Sequence, residues 1–277
     1  MRISRREVDR FAAYLRTEEK SPATIEKYRR EAAQLSRWLA GREAGKPLIR
    51  GYKEELVRSR TPAGVNGAVA ALNCLFDFLG APEYRLKAVR VQRRIFREEE
   101  RELTEKEYRR LVTAAGARGK ERLRLVMESI CATGIRVSEL KFFTVEAVRL
   151  GRVEVSNKGK SRTVFLPGKP RKVLLRYAGA RGIASGPVFV TRSGRPLDRS
   201  NIWHDMKALC REAGVRETKV FPHNLRHLFA RTYYGLEKDI VRLADILGHS
   251  SINTTRIYTM ESGSVHRRQL EQMRLVI

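Results

Sequence analysis

Residues 247–258 read LGHSSINTTRIY. Gly248 is placed to end one helix, and the Ser-Ser pair that follows can cap a short second helix carrying Tyr258. His249 lies in the turn between them. The segment therefore predicts a helix, a glycine turn and a short helix, with a histidine and a tyrosine near each other in the last quarter of the chain.

A second segment, HNLRH at residues 223–227, adds two side chains to this set. His223 and Arg226 are three residues apart, so both lie on one face of a helix whose entry is fixed by Pro222. An arginine presents a planar fork of donors that can hold two phosphate oxygens. The pair therefore indicates a place where a phosphate can bind.

A tyrosine hydroxyl can attack a phosphodiester only when other groups carry the charge of the phosphate and handle the protons. The sequence shows no carboxylate or His/Cys cluster with the spacing of metal ligands, so arginine and lysine would have to supply the positive charge. Arg136 follows the helix-ending Gly134, with Glu139 close enough to orient it. Lys158, at the predicted tip of a β-hairpin, is the other candidate.

Each of these residues also has an ordinary structural interpretation. Taken alone, Arg136 would be a solvated arginine at a helix start, and His249 a capping histidine. Tyr258 would be a core tyrosine, and His223 with Arg226 an exposed polar pair. The catalytic interpretation rests on the conjunction of all of them in one chain.

The composition indicates a polyanionic partner. Among 277 residues, Lys and Arg number 57 against 31 Asp and Glu, which gives a formal charge of +26. The alternative is a charge of the kind found in ribosomal proteins or concentrated in a basic tail. Because the basic residues are spread through patterned segments, a nucleic-acid partner is favoured over that alternative. No apolar run is long enough to span a membrane. Three separated cysteines in apolar helical patterns predict reduced core residues, so we expect a cytoplasmic protein.

Residues 1–90 carry the start and stop signals of about four helices, which predict a compact helical bundle. The start signals are a capping box at Ser4 and the Ser-Pro and Thr-Pro pairs at 21–22 and 61–62. The third helix is predicted to be short, over residues 52–57. Gly41 is placed to end the second helix.

Residues 91–102 change from basic to acidic and predict an interdomain linker, with a solvated helix end as the alternative. Residues 103–277 predict a mixed α+β domain, because Val153 and Val155 alternate with polar residues and predict one strand of a hairpin. The elements expected around the hairpin are helices near 104–115, 119–133, 170–180, 199–213, 222–234, 239–247 and 251–258, and a short strand at 188–190. The fold class is therefore mainly α with a small β-hairpin.

In combination these residues resemble the tyrosine recombinase (phage integrase) family, and the resemblance covers almost the whole chain. The segments similar to the family's motifs are ATGIRVSEL at 132–140, HNLRH at 223–227, LGHS at 247–250 and TTRIY at 254–258. They stand in the expected order. Residues 21–80, with Ser21, Thr24 and Tyr28, are similar to the family's helical core-binding domain, a SAM-like fold. One departure is Met260, where many relatives carry histidine.

The resemblance implies a site-specific DNA recombinase that breaks and rejoins strands through a covalent intermediate. Tyr258 would be the nucleophile and form a 3′-phosphotyrosyl link. Arg136 and Arg226 would hold the scissile phosphate. His223 would assist proton transfer, and His249 would donate a hydrogen bond to the phosphate.

The general acid implied by the resemblance is Lys158, because the family's lysine lies at a hairpin tip, with Lys160 as the alternative. No cofactor and no metal are implied. The expected partner is double-stranded DNA, bound by a chain that is a monomer in solution and a homotetramer on synapsed duplexes. In the tail from residue 259, Leu270, Met273 and Ile277 recur at helical spacing, and the resemblance implies that this tail docks on a neighbouring subunit. Packing within the same chain is the alternative.

Two other functions remain open at this point. A type IB topoisomerase would use similar residues as a monomer to relax supercoils, and a DNA-binding protein could keep the fold without catalysis. The simple two-domain layout resembles Xer-like recombinases or integrases of small mobile elements. The sequence leaves open the DNA target, the choice among integration, excision, resolution and inversion, and any accessory proteins.

Overall fold

The structure is a computed structural model, described for residues 1–91, 99–157, 160–191, 193–260 and 263–273. The chain separates into two compact units, Met1–Arg93 and Arg94–Ile277. The described residues are mainly helical and form one two-stranded sheet, as the sequence predicts. Within these ranges no helix combines the length and apolar character needed to cross a membrane.

Within residues 1–91, the first unit forms four α-helices. They are α1 (Arg5–Thr17), α2 (Pro22–Leu39), α3 (Lys46–Ser59) and α4 (Pro62–Phe78). Local chemistry fixes their starts. Ser4 forms a capping box with Glu7, and Ser21 and Thr61 each accept a hydrogen bond from the amide three residues later, just ahead of a proline. The predicted starts of these three helices are confirmed.

Two details of this bundle differ from the prediction. The helix α3 has 14 residues and is not short, because it begins directly after Gly45 with Pro47 in its first turn, where a proline costs no hydrogen bond. The helix α2 ends one residue earlier than expected. Ala40 is the first left-handed residue (φ 48°), and Gly41 follows it as the second (φ 80°).

The second unit surrounds a β-hairpin with helices. Its helices are α5 (Glu105–Ala117), α6 (Glu121–Thr133), α7 (Val145–Leu150), α8 (Gly168–Ala180), α9 (Arg199–Lys207), α10 (Cys210–Ala213), α11 (Pro222–Glu237), α12 (Ile240–Leu247), α13 (Ile252–Thr255) and α14 (Gly263–Gln272), and its strands are β1 (Arg152–Asn157) and β2 (Lys160–Phe165). A 3₁₀ segment, Val137–Phe142, follows α6, and another, Arg256–Tyr258, follows α13. The helices α6 and α11 pack against each other.

The predicted β-hairpin is confirmed. The strands are antiparallel, with Val153 opposite Val164 and Val155 opposite Arg162. Side chains that are directly opposite lie on the same face of the sheet, so Arg162 shares the inward face with three buried valines. Lys158 lies outside the described residues, and so does the side chain of Lys160.

Three predicted elements of this unit are wrong in detail. The described residues 188–190 form no strand. Val190 makes one isolated bridge, to Pro196, and the preceding Pro187 makes another, to Thr144. Proline has no amide hydrogen, so neither bridge can grow into a ladder. The helix expected over 199–213 is interrupted after α9 and resumes as α10. The segment expected as one helix over 251–258 tightens from α13 into a 3₁₀ turn.

Three helices of the second unit converge at Gly134. This residue ends α6 in the left-handed conformation (φ +66°). A Cβ atom there would lie 2.4 Å from Cδ1 of Phe229 on α11 and 3.0 Å from Cδ2 of Leu247 at the end of α12. Only glycine allows the ends of α6 and α12 to approach α11 this closely.

We predict that Gly134→Ala destabilises the protein more than Gly182→Ala. Both glycines have a φ of +66°, so alanine costs about 1–2 kcal/mol of left-handed strain at either site. A Cβ at Gly182 meets nothing within 4 Å, whereas at Gly134 it collides with Phe229. That collision adds about 1–3 kcal/mol, so Tm by circular dichroism should fall further at Gly134, by at least about 2 °C. Equal Tm shifts would contradict this packing.

Candidate active site

The side chain of Arg226 lies buried where α6, α11 and α12 converge, with 1 % of the residue exposed. Nη1 donates to the carbonyl oxygen of Gly134 at 2.5 Å, and Nη2 donates to that of Leu247 at 2.7 Å. Both oxygens lie at helix C-termini, where carbonyl groups lack helical partners and the helix dipole favours a cation. Burial, and then the nearby Arg136, lowers the pKa of Arg226 to about 10, so the group stays charged at neutral pH.

His249 is held by two contacts of its ring. Nη2 of Arg226 lies 3.0 Å from Nε2, and Nδ1 lies 2.8 Å from Oγ1 of Thr255. Arginine can only donate, so Nε2 accepts, and we assign the ring proton to Nδ1, which donates to Thr255. Burial, followed by the charges of Arg226 and Arg136, lowers the pKa of His249 to about 4. The ring is therefore neutral at pH 7.

Tyr258 ends the 3₁₀ turn that follows α13, and 4 % of it is exposed. Its ring stacks on that of His249, with centroids 6.1 Å apart, and meets the ring of His227 edge-on at 4.9 Å. Burial raises the pKa of Tyr258, and the charge and hydrogen bonding of Arg226 act in the opposite direction. The hydroxyl is therefore protonated at neutral pH and interacts with the buried guanidinium.

Arg136 starts the 3₁₀ segment directly after Ile135, and a third of its side chain is exposed. Its backbone N–H and its Nη1 both donate to the carboxylate of Glu139, at 2.9 and 3.0 Å. Nη2 donates to the carbonyl oxygen of Gly248 at 3.4 Å. The pairing of Arg136 with Glu139, expected from their spacing, is present, and a third contact links Arg136 to the turn that carries His249.

Arg162 on β2 belongs to the same group, and the sequence analysis did not identify it. Nη1 and Nη2 donate to the two oxygens of Glu139, at 3.1 and 2.7 Å. Burial raises the pKa of Glu139, but the hydrogen bonds from Arg162 and Arg136 outweigh it and hold that pKa below its ordinary value. The sequence did contain a signal. Arg162 alternates with Val164 and Leu166, and a charged residue at an inward strand position needs a partner.

His223 and His227 continue the row of rings from Tyr258 to the surface. His223 is exposed in the first turn of α11, and its ring centroid lies 4.6 Å from that of His227. Partial burial of the ring, and then Arg226, lowers the pKa of His223. Burial, and then His223, lowers the pKa of His227 to about 3. The four-residue spacing of the two histidines places them on one helix face, although the sequence analysis gave His227 no role.

The structure therefore brings together Arg136, Arg226, His249 and Tyr258, and connects His223 to them through His227. The predicted role of Lys158 stays a prediction, because that residue lies outside the described ranges. Across the described part of the chain, no group of three or more His, Cys, Asp or Glu side chains could hold a metal ion.

The Phage integrase family model matches residues 101–263, a range that includes all of these side chains. The chain belongs to the phage integrase family. Among curated proteins, tyrosine recombinase XerA of Pyrococcus furiosus is 30% identical over 282 residues, which cover 97% of this chain and 94% of XerA. Family membership makes the chain an enzyme, a tyrosine-type site-specific recombinase, as the sequence motifs predict.

Solved structures of recombinases share the fold. The crystal structure of XerA recombinase matches with a TM-score of 0.53 and 26% identity, over 98% of this chain and 99% of that one. A lambda integrase tetramer bound to a Holliday junction matches with a TM-score of 0.73 and 19% identity, over 91% of this chain and 76% of that one. At this second level of identity the likeness concerns the fold alone.

Because His227 and His249 are neutral in the folded protein, we predict that the protein loses stability in mild acid. The folded-state pKa of His227 is about 3, against 6.5 when unperturbed. The unfolded chain therefore binds more protons below pH 6.5, and the free energy of unfolding falls as the pH is lowered. His227→Phe should make this fall less steep between about pH 6.5 and 5, by roughly 1 kcal/mol per pH unit. Urea unfolding at several pH values measures the free energy of unfolding. If its pH dependence is the same in the wild type and in His227→Phe, the neutral state assigned to His227 is contradicted.

Proposed function

We propose that this tyrosine recombinase cleaves and rejoins specific sites in duplex DNA with Tyr258 as the nucleophile. The observation that carries the proposal is that Arg226 holds His249 by a hydrogen bond at 3.0 Å and that the ring of Tyr258 stacks on that same histidine. A hydroxyl nucleophile, a phosphate-binding cation and an imidazole ring are thereby held in a single buried group. These are three of the groups that phosphodiester cleavage by a protein side chain requires, and the fourth is an acid for the leaving oxygen.

In the proposed reaction the hydroxyl oxygen of Tyr258 attacks the scissile phosphorus, and the 5′ oxygen of the next nucleotide leaves. One O–P bond forms as another breaks, which gives a 3′-phosphotyrosyl link and a free 5′-hydroxyl. His223 assists removal of the tyrosine proton, and Lys158, or alternatively Lys160, protonates the leaving oxygen. The 5′-hydroxyl of a partner strand then reverses the step. The link keeps the energy of the broken bond, so the reaction requires neither ATP nor metal.

Arg136 and Arg226 would stabilise the charge that develops on the phosphate oxygens. Arg136 is partly exposed and can meet a phosphate directly, whereas Arg226 is buried together with Tyr258. We therefore infer that DNA binding displaces the segment 247–258, which uncovers Arg226 and releases the tyrosine. The same displacement would break the bond from Arg226 to Nε2 of His249. A proton could then move to that nitrogen, which the donor role of His249 towards the phosphate requires.

The proposed partner is double-stranded DNA, because a net charge of +26 favours binding to a polyanion. Residues 1–90 would be the core-binding domain, residues 91–102 a linker along the DNA backbone, and residues 103–277 the catalytic domain. Such an enzyme would act in the cytoplasm, where its DNA lies.

Joining two duplexes requires four protomers, so we propose a monomer in solution and a homotetramer on synapsed DNA. The lambda integrase structure, a tetramer bound to a Holliday junction, supports this assembly. Leu270 and Met273 in the tail are half exposed and offer apolar surface to a neighbouring subunit. Ile277, the third residue of that pattern, lies outside the described residues.

The test uses labelled duplexes with a nick in a randomised core. After cleavage, the short strand between the cleavage site and the nick, which carries the free 5′-hydroxyl, diffuses away. The covalent intermediate is then trapped, because no hydroxyl remains to reverse the step. Wild-type protein should yield an adduct that survives denaturing electrophoresis, and Tyr258→Phe should yield none, because it lacks the attacking oxygen. Tyr233→Phe is the matched control, since that ring packs against the same small core and should leave the adduct unchanged. An adduct that persists in Tyr258→Phe would overturn the nucleophile assignment.

The duplex recovered from the adduct then separates the alternatives. A recombinase joins strands from two such duplexes, whereas a type IB topoisomerase only relaxes a supercoiled plasmid that carries the site. A protein that binds the duplex without forming any adduct would be a non-catalytic member of the fold.

A further inference from the structure

We propose that Arg162 is a positioning residue that keeps the guanidinium of Arg136 available for the scissile phosphate. This inference rests on the proposed function. It concerns a residue on the hairpin, outside the segments that match the family's catalytic motifs. Its basis is the set of hydrogen bonds that Arg162 and Arg136 both donate to one buried carboxylate, that of Glu139.

Of the four hydrogen bonds at Glu139, only one comes from the side chain of Arg136. One carboxylate oxygen accepts from Nη1 of Arg136 and Nη1 of Arg162. The other accepts from the backbone N–H of Arg136 and Nη2 of Arg162. Arg162 therefore forms the bidentate ion pair, in which its Nη1 donates to one oxygen of Glu139 and its Nη2 to the other. The side chain of Arg136 reaches only one oxygen of Glu139, and its Nη2 donates instead to the carbonyl oxygen of Gly248.

Without Arg162, the carboxylate would lose its two-pronged partner while staying in a site that is 1 % exposed. A buried carboxylate strongly favours a guanidinium that can bind both oxygens. The cation next to it is Arg136, whose Nη1 is already 3.0 Å away. We expect Arg136 to turn onto Glu139 as a fork and to withdraw from the phosphate. Arg162 thus prevents the orienting carboxylate from capturing the catalytic arginine.

Arg162 also supports the turn that carries His249. A Cβ atom added to Gly248 would lie 2.7 Å from Cδ, 3.0 Å from Nη1 and 3.1 Å from Nε of Arg162. That turn accepts a bond from Arg136 through the carbonyl oxygen of Gly248. One strand residue therefore contacts both the carboxylate that orients Arg136 and the backbone next to His249.

The environment of Arg162 is unfavourable for a residue that serves stability alone. Within the described structure its Nε is buried without a hydrogen-bond partner, although 14 % of the side chain is exposed. A buried donor without an acceptor is destabilising. Such unfavourable groups are found preferentially at functional sites. Arg162 lies on β2 and pairs with Glu139, which also pairs with Arg136, so Glu139 connects the hairpin to Arg136. In sequence, Lys158 comes shortly before this strand.

The test measures single-turnover adduct formation on the nicked duplex recovered above, together with DNA affinity and Tm. Arg162→Met should slow adduct formation by about tenfold to a hundredfold, the cost of a small misplacement of a catalytic group. DNA affinity should hardly change. Arg152→Met is the matched control, an exposed arginine on the partner strand of the same hairpin, and should cleave at the wild-type rate. Arg162→Lys, which keeps a point charge but no fork, should lie between Arg162→Met and the wild type.

A second substitution distinguishes positioning from a general effect on folding. Glu139→Gln removes the charge that would capture Arg136, so Arg162→Met should cost much less in that background than in the wild type. An equal loss in both backgrounds, or a wild-type rate for Arg162→Met, would overturn the proposal. If Arg162→Met does not fold, Arg162→Lys decides, because a wild-type rate there would also overturn it. Failure of the wild-type protein to form any adduct would instead refute the proposed function.

Discussion

One buried guanidinium, that of Arg226, is the interaction on which the rest of the site depends. Among the described residues it pairs with no carboxylate, and it is held by carbonyl oxygens at the ends of α6 and α12 and by Nε2 of His249. Helix C-termini carry partial negative charge, which offsets part of the cost of burying a cation. The close approach of those two ends requires the glycine at position 134. Gly134 therefore links the packing of the helices to the position of the Arg226 guanidinium.

The remaining charges are arranged around this cation in a way that leaves the site electropositive. Three arginines, at positions 136, 162 and 226, lie near a single buried carboxylate, that of Glu139. Burial, and then the charge of the arginines, lowers the pKa of His223 and His249 and keeps both rings neutral. The singly charged phosphodiester of DNA would first meet the partly exposed Arg136, already held by Glu139, and then Arg226 once the segment 247–258 is displaced.

Much of this could be predicted from the sequence, because it is encoded locally. The caps at Ser4, Ser21 and Thr61 and the alternation in the hairpin depend on residues a few positions apart. The contribution of Arg162 depends on Glu139, 23 residues away in the 3₁₀ segment before the hairpin, and only the folded structure shows that the two meet. The strand expected at 188–190 does not form for a similar reason, since Val190 is bridged to Pro196 and the neighbouring bridge, from Thr144, ends on Pro187, pairings that sequence periodicity alone does not reveal.

The central claim is that Arg226 organises the segment carrying His249 and Tyr258 as well as binding phosphate. Hydrogen–deuterium exchange of Arg226→Lys tests it most directly, because lysine keeps the charge but cannot bind two carbonyl oxygens as a fork. The account predicts faster amide exchange in residues 244–258 and around the end of α6, while α5 keeps its protection. Unchanged exchange in residues 244–258 would contradict it and would reduce Arg226 to a phosphate ligand without an organising role.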